Sequence, residues 1–196
     1  MWKRGFDLLA SALALVILSP LFAVLAVLIR ATSRGPVFFR QWRAGRGGRP
    51  FLLLKFRSMR EDAELRRREM EHLNEMEGPI FKIRNDPRIT RLGRFLRRSS
   101  LDELPQLVNV LLGHMSLVGP RPLPVDQARR LSERQQRRHL VRPGLTGLWQ
   151  VSGRNNLPFE RMMELDLEYV ARRSPGLDLR ILLATVPAVL AGRGAF

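Results

Sequence analysis

No cysteine occurs among the 196 residues, which excludes disulfides and thiolate-held metals. Histidine is almost as scarce. His72, His114 and His139 are scattered, so a metal would have to be held through oxygen, the ligand class that suits Mg²⁺. Acidic residues are also few, 18 against 34 lysines and arginines. A surface of that sign attracts anionic lipid, phosphate-bearing ligands or nucleic acid without choosing among them. No Gly-x-x-x-x-Gly-Lys-Ser/Thr phosphate loop is present, and only one long apolar run.

That run spans Phe6 to Ile29, 24 residues whose sole charge is Asp7, enough at a helical rise to cross roughly 30 Å of hydrocarbon. Lys3 and Arg4 precede it and Arg30 and Arg34 follow, so the positive-inside tendency draws both ends toward the cytoplasm. Ser19-Pro20 lies near its middle, where proline removes an amide donor and kinks or breaks a helix. On the residues alone three readings stay open. One is a single crossing, since membrane helices tolerate proline. Another is a re-entrant helix that bends at Ser19-Pro20 and returns. The third is a signal peptide, although no small-residue cleavage site follows the apolar core cleanly.

The rest of the chain is long enough for one domain with a moderate core. Val37-Phe38-Phe39 and Phe51-Leu52-Leu53-Leu54 flank Gly45-Arg46-Gly47-Gly48-Arg49-Pro50, which predicts a β-hairpin. A charged helix is expected over 61–76, with Glu64 and Arg68 as an i,i+4 pair, and a short basic amphipathic helix around Leu92, Phe95 and Leu96. Ser100-Leu101-Asp102-Glu103 reads as a capping box, Ser100 at the N-cap and Glu103 at N3. The helix it opens would bury Leu104, Leu107, Val108, Leu111 and Leu112 and stop at Gly113. Asp102 would then sit in a first turn that favours its ionised form. Such acids most often only cap a helix, but an ionised carboxylate also binds Mg²⁺ or attacks phosphorus.

Farther along, Pro120-Arg121-Pro122 reads either as a surface turn with an incidental arginine or as a stiff loop that presents a guanidinium to phosphate. A basic helix is expected over 126–139. A glycine-rich loop follows over 142–154, with Trp149 as core aromatic, headgroup anchor or pocket wall. A helix is expected over 158–173. Leu177 to Leu190, at 14 residues, is short for a crossing and reads as interfacial or docked.

Taken in order, several segments resemble the bacterial polyprenyl-phosphate sugar-1-phosphate transferases, the monotopic phosphoglycosyl transferases. They are Lys3-Arg4 with Asp7, Ser19-Pro20, 35–41, Lys55-Phe56-Arg57-Ser58-Met59, Asn85-Asp86-Pro87-Arg88, 100–106, Met115 through Pro122, and Arg142 through Arg154. The resemblance implies an α+β, mainly helical fold. It divides the chain into a re-entrant membrane helix over 1–34, with Lys3, Arg4, Ser19 and Pro20 setting the topology, and a cytoplasmic membrane-associated catalytic domain over 35–196. It implies attack by Asp102 on the sugar-bearing phosphorus of a UDP-sugar, release of UMP, and transfer of the sugar phosphate to undecaprenyl phosphate. Asp102 and Glu103 are implied as the catalytic pair and as Mg²⁺ ligands. Arg88 and Pro120-Arg121-Pro122 are implied to meet substrate phosphate, and Lys55, Arg57, Asp86, Arg142, Gln150 and Arg154 to line the pocket. The implied setting is the cytoplasmic face of the bacterial inner membrane, among its lipids, with homo-oligomerisation open and no nucleic acid as partner.

Two departures stand out. Ser58 occupies a position that is often threonine, and the extra membrane helices and preceding domain of larger members are absent, as in a compact form or an isolated catalytic core. The C-terminal stretch from Leu177 is closer to members that transfer hexose phosphate, which points to UDP-glucose or UDP-galactose. The competing class is a membrane-tethered, noncatalytic binder of polyanions or nucleic acid, and a phosphohydrolase or noncovalent transferase could use the same two acids.

Overall fold

The computed structural model describes residues 2–192 and 194, apart from 68, 77 and 84. The apolar run forms one helix, α1 (Trp2–Thr32), continuous through Pro20. Its 31 residues give a length of roughly 46 Å. Beside the proline, the Ser19 hydroxyl donates to the Val16 carbonyl at 2.8 Å. Among the described residues α1 is the one helix long and apolar enough to cross a membrane, and its apolar window is only 11% buried, so it is not a core helix.

Both ends of α1 are tied to the rest of the molecule. At the N-terminal end Lys3 pairs with Asp178 at 2.6 Å, and Arg4 donates to the carbonyls of Val110 and Leu111. Asp7, 2% exposed, accepts from the Leu117 amide at 3.1 Å. At the C-terminal end Leu25 and Ile29 pack with Phe56 and Leu96, and Arg57 Nη2 donates to the carbonyl and hydroxyl of Ser33 at 2.8 and 2.7 Å.

The expected hairpin is present and longer than its apolar cores: β1 (Phe38–Ala44) pairs antiparallel with β2 (Pro50–Phe56), Phe38 opposite Phe56 and Ala44 opposite Pro50. The helix expected over 61–76 is not continuous. It resolves into α2 (Ala63–Arg66) and a 3₁₀ turn at Glu71–Leu73, and the Glu64/Arg68 pair lies outside the described residues. α3 (Arg91–Arg98) is capped by Thr90, whose hydroxyl accepts from the Gly93 amide at 2.9 Å. Gly93 is obligatory here, because a Cβ would lie 1.8 Å from the Ser58 carbonyl oxygen.

α4 (Gln106–Leu111) buries Leu107 and Val110 together with Gln106 and Asn109, and leaves Leu112 exposed. The expected apolar face is therefore rotated. The cause is Asn109, which is directed at β2: its Nδ2 donates to the Leu52 carbonyl at 2.8 Å and its Oδ1 accepts from the Leu54 amide at 2.9 Å. β3 (Ser116–Val118) runs into the Pro120-Arg121-Pro122 turn. The basic helix expected over 126–139 is three short pieces, α5 (Val125–Ala128), α6 (Glu133–Gln136) and a 3₁₀ turn at Arg137–Leu140. The break is set by Ser132, whose side chain forms a capping box with Gln135.

The glycine-rich stretch contains β4 (Gly144–Thr146), parallel to β3, and α7 (Leu148–Val151). A Cβ on Gly144 would lie 2.1 Å from the Gly119 amide nitrogen, so this close pairing needs glycine. α8 (Phe159–Arg172) and α9 (Pro175–Ala191) match the expected helices. The core joins Phe51, Leu53, Leu107, Val110, Met115, Tyr169 and Ile181 in one cluster and Leu123, Leu131, Trp149, Phe159 and Met162 in another. The molecule is thus mainly helical α+β, with a small hairpin and a long apolar N-terminal helix.

Candidate active site

A cavity of about 1080 Å³ opens between the hairpin, the segment after α3, α7 and α9. Its floor is the turn that carries Asp102 and Glu103. Ser100 does not cap a helix: it has φ 57° and makes no capping hydrogen bond, and the two acids lie on a 3₁₀ turn, Leu101–Glu103, ahead of α4. The capping-box reading is corrected accordingly. The sequence suits a box, but the left-handed residue turns the chain out of α3 before a helix can begin.

Arg154, with φ 53°, is the only other non-glycine residue at positive φ among the described residues, and its Nη2 donates to the Ser100 hydroxyl at 3.2 Å. Such backbone costs on the order of 1–3 kcal/mol. Two strained residues therefore meet beside the carboxylates.

The two acids have opposite environments. Glu103 is clamped: Lys55 Nζ donates to its Oε1 at 2.7 Å, Arg121 Nη1 donates to Oε2 at 2.9 Å, and Arg121 Nη2 also donates to Oε1. Burial alone would raise its pKa, but Arg121 and Lys55 outweigh it and hold the carboxyl well below the usual range. Asp102 is 5% exposed and has no side-chain hydrogen bond or ion pair among the described residues. Burial pushes it up to about 6, against the pull of Lys55 and with the charge of Glu103 adding to the rise.

Around them the cavity wall is cationic. Arg43 is pushed down to about 9, first by burial and then by Arg121. Its Nη1 donates to the Pro122 carbonyl at 2.9 Å, while its Nε is buried without a partner among the described residues. Arg97 donates from Nε to the Ser58 hydroxyl at 2.9 Å. Lys82 lies 5.6 Å from the Trp149 ring centroid, and burial lowers it to about 7. A chamber of this sign, floored by one clamped and one unclamped carboxylate, is built for a multiply anionic ligand.

The family model described as bacterial sugar transferase matches residues 1–192. The chain belongs to the bacterial sugar transferase family. CpsE of Streptococcus agalactiae, a galactosyl transferase, is 45% identical over 98% of this chain, which spans 43% of CpsE. The exopolysaccharide production protein ExoY of Rhizobium meliloti is 42% identical over all of this chain, which spans 88% of ExoY. A UDP-glucose:undecaprenyl-phosphate glucose-1-phosphate transferase of Klebsiella pneumoniae is 42% identical over 94% of this chain and 39% of its own length. The chain thus spans less than half of two of these relatives and nearly nine-tenths of the third. With its exposed apolar α1, this member of the family is membrane-associated.

The residues expected at the site divide into four groups. Asp102, Glu103, Lys55, Arg121, Gln150 and Arg154 all line the cavity. Arg88, Asp86 and Arg57 line it too, but Arg88 and Asp86 are committed to each other and Arg57 Nη2 to the end of α1, while Arg57 Nε and Nη1 are buried with no hydrogen-bond partner among the described residues. Arg88 Nε and Nη2 donate to Asp86, and Nη1 donates to the Ala63 carbonyl. Arg57 holds the end of α1. Arg142 is elsewhere: its Nε donates to the Gly113 carbonyl at 2.9 Å, and it lines a smaller cavity beside the start of α1. Pro120 and Pro122 act through the backbone, the Pro120 carbonyl accepting from the Gly144 amide and the Pro122 carbonyl from Arg43.

Arg43, Lys82 and Arg97 were not singled out from the sequence. They are single cations among many, and only the fold turns them inward. Trp149 is both core and wall, 5% exposed and lining the cavity.

Proposed function

We propose that this transferase moves a hexose-1-phosphate from a UDP-sugar to undecaprenyl phosphate, releasing UMP, through a covalent phosphosugar on Asp102. The observation that carries the reading is the contrast between the two neighbouring carboxylates. Glu103 is hydrogen-bonded by two cations, whereas Asp102 has no side-chain hydrogen bond or ion pair among the described residues, which leaves its oxygens available to attack.

In the first half-reaction an Asp102 carboxylate oxygen forms a bond to the sugar-bearing phosphorus. The bond from that phosphorus to the bridging oxygen breaks, and UMP leaves with the oxygen. In the second, an oxygen of the polyprenyl phosphate forms a bond to the same phosphorus and the aspartyl bond breaks, restoring the carboxylate. Arg121 and Lys55 hold Glu103 ionised and set a positive wall beside the reacting phosphate. Arg43, Arg97 and Arg154 extend that wall, where charge spread over phosphate oxygens is stabilised by cations already in place.

Mg²⁺ fits the donor set in one manner only. No group of three or more His, Cys, Asp and Glu gathers among the described residues, and both Glu103 oxygens already accept from Lys55 and Arg121, so of the two implied ligands Asp102 is the one that would hold the ion, together with oxygens of the substrate diphosphate. When bound, it neutralises diphosphate charge that would otherwise repel the carboxylate. Hexose is favoured by the relatives, one named for galactose and one for glucose at similar identity.

The setting follows from α1. Both of its ends are anchored to the body that carries the chamber, at Lys3, Arg4 and Asp7 and again at Ile29 and Ser33, and both ends are flanked by positive charge. This supports a re-entrant helix and a monotopic enzyme on the cytoplasmic face of the bacterial inner membrane, where a soluble nucleotide sugar and a lipid phosphate can meet.

The test is UMP release from a panel of UDP-sugars by nanodisc-held protein, with and without undecaprenyl phosphate, beside Asp102→Asn. Lipid-dependent turnover with one hexose, lost in the variant and on chelation of Mg²⁺, is expected. Folded protein that releases no UMP from any of them, and binds polyanions in a salt-sensitive way without Asp102, would mark a noncatalytic binder.

A further inference from the structure

Arg121 is held from behind by residues outside the chamber. Arg138, on the 3₁₀ turn Arg137–Leu140, is 2% exposed, and Asp166 of α8 is 1% exposed. Arg138 donates from Nε and Nη2 to Asp166 Oδ2 at 3.0 and 2.5 Å. Its Nη2 also donates to the backbone carbonyl of Arg121 at 2.6 Å. Neither residue lines the catalytic cavity.

A buried ion pair is a poor means of stabilising a fold, since desolvation offsets most of the attraction and apolar residues of similar size often do as well. This pair does something an apolar pair cannot. Pro120 and Pro122 restrict the backbone on either side of Arg121, but the peptide plane after Arg121 still has to be oriented, and a hydrogen bond to its carbonyl fixes it. Arginine suits this task because its rigid fork reaches a carboxylate and a carbonyl together, which the single ammonium of lysine does not reproduce. From that fixed backbone the Arg121 guanidinium reaches Glu103 in the chamber.

We infer that Arg138 and Asp166 are positioning residues for the phosphoryl transfer, acting through the Arg121 carbonyl to place the Arg121 guanidinium beside the Asp102-Glu103 turn. The inference rests on the transferase reading above. Misplacing a phosphate-facing cation by about 1 Å is enough to cost on the order of 100-fold. The loss should also depend entirely on there being a guanidinium at 121 to misplace.

A double-mutant cycle separates this role from a merely structural one. Single-turnover formation of the covalent adduct, which resolves slow variants, is followed in nanodiscs for wild type, Arg138→Lys, Arg121→Gln and the double variant. Arg138→Lys is expected to slow adduct formation by about 10- to 100-fold, and to slow it by less than about twofold once Arg121 is already glutamine. Equal losses in both backgrounds would overturn the inference. Asp166→Asn, which leaves Arg138 in place but unbraced, gives a second cycle with the same expected pattern and a smaller loss, and it decides the question if Arg138→Lys does not fold. A wild type silent toward every UDP-sugar sinks the transferase reading itself, whereas an active wild type with additive losses sinks only this inference.

Discussion

The outer faces of α1 and α9 and the wall of the chamber invert the usual arrangement of a water-soluble domain. Outside, Leu9, Leu13, Val16, Ile17, Val24 and Val27 of α1 are exposed, as are Leu179, Leu183, Val186 and Leu190 of α9. The α9 residues recur at i, i+4, i+7 and i+11, one continuous stripe. Inside, Arg43, Lys55, Arg97, Asp102, Glu103 and Arg121 crowd one cavity. In water both choices cost free energy, the first through exposed apolar area and the second through desolvated charge. Lipid as the outer solvent removes the first cost. An anionic ligand in the chamber offsets the second.

The sharpest way to break this contrast is to put charge on the outer face. Leu13→Lys with Ile17→Lys changes two exposed positions of α1, and each lysine near the middle of an apolar helix costs about 2.5–3.5 kcal/mol in hydrocarbon. The double variant is expected to lose flotation with lipid vesicles while the wild type floats. Next in size is removal of the proposed nucleophile. Asp102→Asn is expected to lower UMP release by about a thousandfold or more and leave flotation unchanged, so that the two faces fail independently.

A third variant tests the scaffold shared by both. Gly144→Ala places a methyl group against the Gly119 amide, and is expected to destabilise by about 1–3 kcal/mol, read as a lower midpoint in thermal unfolding. The smallest effects concern pH. With Asp102 raised to about 6, kcat/KM for the UDP-sugar should fall tenfold per unit below that value. The same burial makes ionised Asp102 a cost to the fold, fully present above about 6 and gone below the ordinary carboxylate value. Asp102→Asn is therefore expected to be more stable than wild type at pH 8, by about 1–3 kcal/mol, with the gap closing between pH 6 and 4.

How far the sequence reached differs between the two faces. The apolar face was legible because its signals are local: an uninterrupted run for α1, a mostly apolar segment after Ser174-Pro175 for α9, and two apolar strands around a glycine turn for the hairpin. The chamber was only partly legible. Asp102, Glu103 and Arg121 stood out in compact motifs, yet Ser100 was read as a helix cap when the Arg154 contact and a left-handed backbone make it a corner. The face of α4 was misjudged for a similar reason, because Asn109 is drawn inward by the backbone of β2. Arg43, Lys82, Arg97 and the Arg138–Asp166 pair depend on contacts between residues far apart in the chain, and nothing in their neighbours announces them.

The most direct test of the account is the covalent intermediate itself. Purified protein in nanodiscs is mixed with the active UDP-sugar and no lipid acceptor, then analysed by intact mass and peptide mapping. One UMP per protein and one phosphosugar on the peptide carrying Asp102, discharged when undecaprenyl phosphate is added, is the predicted result. UMP formed only when the lipid is present, with the protein mass unchanged throughout, would contradict it.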